Sequence, residues 1–311
     1  MPMMRVRRRG FTLVELLIVI ALLGLVMAAM MKVLVGQQRF YRGAAEMIDT
    51  QTNVRDAVNV LESELRGISA AQGDILAMSA DSIRFYEPIG TSIVCVMGAG
   101  RTSVVIPPLT LAAENGLTSW VHTPAATDRV LFYDLGTKEA STDDAWRTST
   151  LASAPVAGAT CPNSTGFTTT AAEATQGYTL PLSAALDAAY QGIVPGSSIR
   201  FSREVRLALY QAGNGLWYLG YQECPGDVCD AVQPVSGPYL APSATAGQSG
   251  LTFTYYDNTG TVLDPAAAAS LTAVARIDVT TRSATLSSIQ IPGFASGRHT
   301  DSLSASIALR N

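Results

Sequence analysis

Aromatic residues make up only 7% of the 311 positions and charged residues only 15%, and there are just two histidines and four cysteines. Each shortage excludes something. His122 and His299 lie far apart and no paired C-x-x-C units occur, so the spacing for a zinc site is missing and no metal is expected. No phosphate-binding loop, G-x-S-x-G elbow or H-E-x-x-H motif is present, which points away from an enzyme and from a cofactor. Scarce charge beside 48% hydrophobic residues argues against a wholly disordered chain, and the length provides for one or two domains with a sizeable core. No global basic excess exists either: 21 basic against 25 acidic residues give a net charge of −4, so no nucleic-acid partner is predicted. Arg200, Arg203 and Arg206 read as a solvated strand face, because Phe201 is the one aromatic residue among them and no regular interleaving accompanies them.

What charge there is sits unevenly. Arg5, Arg7, Arg8 and Arg9 crowd the first ten residues, immediately before a long apolar run that starts at Phe11 and ends at Met31. Within that run Glu15 is the one ionisable group. About 19 residues at 1.5 Å each give about 28 Å of helix, close to the hydrocarbon thickness of a bilayer. The arginines before it favour a cytoplasmic N-terminus with the bulk of the chain exported. A carboxylate inside lipid costs about 2.5–3.5 kcal/mol and therefore calls for a partner or a function. A plain anchor leaves Glu15 unexplained. A cleaved secretory signal would have a shorter core, and a twin-arginine export signal remains an alternative on the strength of Arg8-Arg9-Gly10-Phe11-Thr12-Leu13.

Arg8-Arg9-Gly10 followed by Phe11-Thr12-Leu13-Val14-Glu15-Leu16-Leu17 resembles the N-terminus of type IV prepilins and type II secretion pseudopilins. The resemblance implies cleavage by a prepilin peptidase between Gly10 and Phe11, methylation of Phe11, and an assembly role for Glu15, whose carboxylate would be neutralised by the terminal amine of a neighbouring subunit. It further implies a structural subunit that waits in the inner membrane, cytoplasmic at its N-terminus with a periplasmic head. That subunit then joins other minor and major pilins through an inner-membrane assembly platform, with membrane lipid as its surroundings beforehand. Size, a β-rich head and the ending Leu309-Arg310-Asn311 resemble large minor pilins of the PilW type and the related J-class pseudopilins. A filament-displayed adhesin or DNA-uptake module is the alternative within the same family. Where many major pilins carry a late proline this chain has Lys32, and Gly24 is left as the helix-weak point, read as a small residue that allows close helix packing.

Downstream, Met47, Gln51, Val54, Val58, Leu61, Leu65 and Ile68 alternate at spacings of four and three, the stripe of an amphipathic helix that ends near Gly67 and Gly73. From Thr12 to Arg66 this predicts a helix of about 80 Å. Beyond it, alternation over residues 82–87, 205–210, 251–255, 275–279 and 303–309, compact apolar runs over 93–97, 102–106 and 129–135, and the partner run 216–221 predict strands. Asn214-Gly215 between two of them predicts a hairpin turn with both residues at positive φ. The expected fold is α+β: a leader over residues 1–10, a membrane or filament-core helix over 11–35, its amphipathic continuation over 36–72, and an antiparallel β-rich head over 73–311. Residues 137–195, rich in Ala, Ser, Thr and Gly, read as a surface insertion with a short helix near 182–190, pinned at Cys161. Four cysteines on the exported side permit disulfides, with Cys224 and Cys229 the local candidate pair across Pro-Gly. Asp257-Asn258-Thr259-Gly260 reads as a β-turn in preference to a calcium loop.

Overall fold

The computed structural model describes residues 12–111, 116–137, 141–245, 247–289 and 297–310. Helix α1 runs unbroken over Leu13–Leu65, 53 residues. No proline occurs between Pro2 and Pro88, so nothing in this stretch removes an intrahelical donor, and Gly24, Gly36 and Gly43 are carried without a break. The fold is α+β.

The strands follow in chain order: β1 (Ile75–Met78), β2 (Ser82–Ile93), β3 (Val96–Met97), β4 (Ser103–Ile106), β5 (Ser119–Trp120), β6 (Arg129–Asp134) and β7 (Ala145–Thr150). After β8 (Val156–Ala159) comes the short helix α2 (Ala171–Ala174), then β9 (Gly177–Pro181), β10 (Ser198–Gln211), β11 (Trp217–Glu223) and β12 (Gln233–Tyr239). The last three are β13 (Leu251–Tyr256), β14 (Arg276–Ala284) and β15 (Thr300–Ala308).

The chain forms two compact units. One comprises residues 1–52 with 284–300; the other comprises residues 53–283 with 301–311. In the larger unit the organising element is the antiparallel ladder between β2 and β10, which pairs Ser82 with Ala208 at one end and Ile93 with Ser198 at the other. On its other edge β10 changes neighbour along its length. Ile199–Ser202 pair with β6, whereas Val205–Gln211 pair with β11. A long strand with two successive partners thus carries two cores.

The first core lies where the helix end meets the sheet. Ala57, Leu61, Leu65 and Ile68 pack with Ile83, Phe85, Val205, Leu207 and Leu219, and with Phe253, Tyr255, Ile277 and Val279 of the β13–β14–β15 sheet. Tyr239 Oη donates 2.7 Å to the Asn53 carbonyl and Thr281 Oγ1 donates 3.1 Å to the Val54 carbonyl, so side chains from the strands also grip the helix backbone. The second core collects Ile89, Val104, Ile106, Val130, Phe132, Leu180, Ile199 and Phe201 beneath the four-stranded sheet ordered β3–β4–β9–β8.

Several expectations are corrected. Gln51 is exposed and Met47 only half-buried; Thr50 and Ala57 take the inner face, because the inward spacing runs 50, 54, 57, 61, 65 and 68. Only Gly215 of the hairpin turn has positive φ, at 79°. Gly215 N–H donates to Ala212 O at 2.9 Å, a turn whose left-handed position falls after Asn214 rather than on it. Residues 137–195 hold β7, β8, α2 and β9, all hydrogen-bonded or capped; the short helix is Ala171–Ala174, started by a Thr170–Glu173 capping box, and 182–190 hold a bridge from Leu182 to Leu151 followed by a bend and a turn, not a helix. Period-2 hydrophobicity is absent there because β7 is half-buried and mostly polar and β8 is exposed and built largely of small residues.

Candidate assembly segment

Thr12 stands just before α1 and Glu15 is its third helical residue. Thr12 Oγ1 accepts from the Glu15 N–H at 3.2 Å, and Glu15 Oε2 accepts from the Thr12 N–H and from Thr12 Oγ1, each at 3.4 Å. This reciprocal pair is a capping box, which satisfies two of the four free donors of a helix start and sets a carboxylate at the positive end of the helix dipole. The Thr-x-x-Glu spacing was available in the sequence as its signal. Gly10 and Phe11 lie outside the described residues.

From Leu13, 76% exposed, to Met31, 64% exposed, the apolar side chains have no protein cover. Mean hydropathy in this part of the helix reaches 2.8 with none of it buried, and α1 is the one helix among the described residues long and apolar enough to cross a membrane. So large an uncovered apolar surface needs lipid or other subunits around it.

Just past that stretch the smaller unit has a second polar contact. Glu46 accepts from the Ser287 N–H at 3.0 Å and from Ser287 Oγ, and these donors, side chain first, hold its carboxyl below the usual range. Arg298 Nε donates 2.7 Å to the Thr285 carbonyl. The loop at 285–289 is thereby fastened to the helix at Glu46, a contact across 241 residues that no local pattern announces.

The remaining candidates are structural. Cys224 is bonded to Cys229 and Cys95 to Cys161. Asp257 Oδ1 accepts from the Thr259 and Thr261 N–H groups at 2.9 Å and from Thr259 Oγ1, which lowers its pKa and occupies it within the turn. Among the described residues no group of His, Cys, Asp and Glu could hold a metal. Arg203 is not solvated: it is 11% exposed and pairs with Asp128 and Glu223. Arg200 lies 4.4 Å from the Trp146 ring, an aromatic partner 54 residues away that β10–β6–β7 pairing brings alongside. Interleaving in sequence could not reveal either.

No curated protein and no solved structure matches the chain. Residues 5–31 match the family model described as the prokaryotic N-terminal methylation motif. That match spans the basic leader, the Gly10–Phe11 junction, the capped start of α1 and its uncovered apolar length, and it supports a type IV pilin-like protein processed by prepilin peptidase.

Proposed function

We propose that the chain is a minor pilin or pseudopilin, cut between Gly10 and Phe11, methylated on Phe11 and assembled into the tip or priming complex of a type IV pilus or type II secretion filament. The observation that carries this reading is the single carboxylate of Glu15 at the start of an uncovered apolar helix, within the matched motif. A free amine on Phe11 of a neighbouring subunit supplies the compensating charge, and lipid covers the helix until assembly. The β-rich head stands on the exported side, with the arginine-rich leader in the cytoplasm. Its bulk suits one position at a filament tip better than repeated stacking in a shaft, which favours the minor-subunit assignment of the PilW or J-class kind. The role is structural rather than catalytic.

Mass spectrometry of the purified native protein tests this. The expected N-terminus is Phe11 bearing one methyl group. A chain with its leader attached in working filaments, or one that starts beyond about residue 30 as signal removal would leave it, overturns the reading.

A further inference from the structure

We infer that the groove between α1 and the loop at 285–289 binds the phosphate headgroup of an anionic phospholipid on the exported side of the membrane. The inference rests on the membrane-spanning reading of α1 and adds a specific lipid contact to it.

The groove has a volume of about 330 Å³ and is lined by Arg39, Arg42, Gly43, Ser287, Ser288 and Ile289. Arg39 and Arg42 are three residues apart, so both guanidinium groups lie on neighbouring positions of one helix face, where like charges repel. Neither guanidinium is paired among the described residues, and the nearest carboxylate in sequence, Glu46, is taken by Ser287. Gly43 leaves the helix surface without a side chain between the arginines and the loop. Arginine forks and the Ser288 hydroxyl are donors that phosphate oxygens take up, while Ser287 stays engaged with Glu46.

Depth along the helix selects the ligand. Arg39 is 26 residues beyond Leu13, about 39 Å at the standard rise. A bilayer is about 40–45 Å thick with its headgroups, so Arg39 and Arg42 reach the headgroup layer opposite the leader. Phe40 and Tyr41 are exposed at the same level, where amphipathic aromatic rings settle. Leu286, 57% exposed, adds an apolar side chain on the loop. The charge there also runs against the ordinary bias. Exported flanks of a span are poor in Lys and Arg, yet Lys32, Arg39 and Arg42 follow this one with no acidic residue between Leu16 and Ala45. Two guanidinium groups unpaired among the described residues discriminate by net charge: phosphatidylglycerol leaves its phosphate uncompensated, whereas phosphatidylcholine carries its own cation.

The test uses the full chain, purified in mild detergent with equal amounts of phosphatidylglycerol and phosphatidylcholine, with bound lipid counted by native mass spectrometry. Wild type is expected to retain phosphatidylglycerol preferentially. The Arg39→Gln, Arg42→Gln double variant should bind it at least tenfold more weakly, while Lys32→Gln, outside the groove on the same helix, stays at the wild-type level. Glycerol phosphate at the same concentration should leave the lipid bound. Equal retention of both lipids, unchanged retention by the double variant, or displacement by glycerol phosphate overturns the headgroup site. Each chain is first fractionated: a wild type found in the soluble fraction defeats the spanning reading and the groove with it, whereas a membrane-bound chain indifferent to lipid defeats the groove alone. Intact Cys95–Cys161 and Cys224–Cys229 bonds in the double variant confirm its fold.

Discussion

Arg203 grips Asp128 with two parallel hydrogen bonds, Nε to Oδ1 at 3.0 Å and Nη2 to Oδ2 at 2.8 Å, at the point where β10 exchanges β6 for β11. Its remaining nitrogen reaches Glu223 at the end of β11, also at 3.0 Å. One side chain thus ties together the two half-sheets that share β10. Asp128, 3% exposed, also accepts from the Ala125 N–H.

Removing that guanidinium leaves a buried carboxylate without its cation. Arg203→Met is expected to destabilise the head by about 3–5 kcal/mol. Arg203→Lys should recover only part of this, because an ammonium cannot make the two-pronged contact. Urea unfolding of the head followed by fluorescence checks both; a Met variant as stable as wild type would show the cluster to be energetically neutral.

Glu64 of α1 shares a hydrogen bond with Glu87 of β2, and burial followed by the Glu87 charge pushes its pKa up to about 7. Tyr221 Oη donates to Glu87 as well, at 2.7 Å. Protonated Glu64 is favoured in the fold, so its contribution is complete below about pH 4.5 and is lost as the pH rises through about 7. Discounted for solvent screening of a half-buried group, the loss is on the order of 2 kcal/mol. Glu64→Gln keeps a hydrogen bond without the like charge, so thermal unfolding measured from pH 5 to 8 should flatten, with a gain at pH 8.

The two disulfides should differ in weight. Cys95–Cys161 closes a separation of 66 residues and Cys224–Cys229 one of 5. Chain entropy then assigns about 4 kcal/mol to the first and about 2 kcal/mol to the second. Paired Cys→Ser variants, compared by denaturant midpoint, should rank in that order; the reverse ranking would point to structure retained in the unfolded chain.

A single alanine at Glu15 would confuse its capping contact with the proposed assembly role. Gln also serves in a capping box, so Glu15→Gln preserves the helix start and removes the charge, whereas Glu15→Ala removes both. If charge compensation drives assembly, both variants insert in the membrane normally and both fail to co-purify with other pilins. Assembly by the Gln variant at the wild-type level would leave capping as the function of Glu15.

The legible parts of this chain are those written in local pattern. The apolar stretch with its lone carboxylate, the stripe through Val54, Leu61 and Leu65, and the alternation in β10, β13 and β14 each state which side turns inward, because a helix or strand repeats its faces at a set period. Polar partnerships escape this reading. Arg203 looked solvated because nothing within its own strand pairs with it; Asp128 is 75 residues away. Residues 137–195 read as a surface insertion because the half-buried, mostly polar β7 and the exposed, small-residue β8 show no apolar alternation. Amino-acid order alone therefore settled that there is one long apolar helix followed by a strand-rich region, since periodicity specifies a face. Which residues meet across those faces, Arg203 with Asp128, Glu64 with Glu87, Cys95 with Cys161, Glu46 with Ser287, followed from strand order and register, since a face does not name its neighbour.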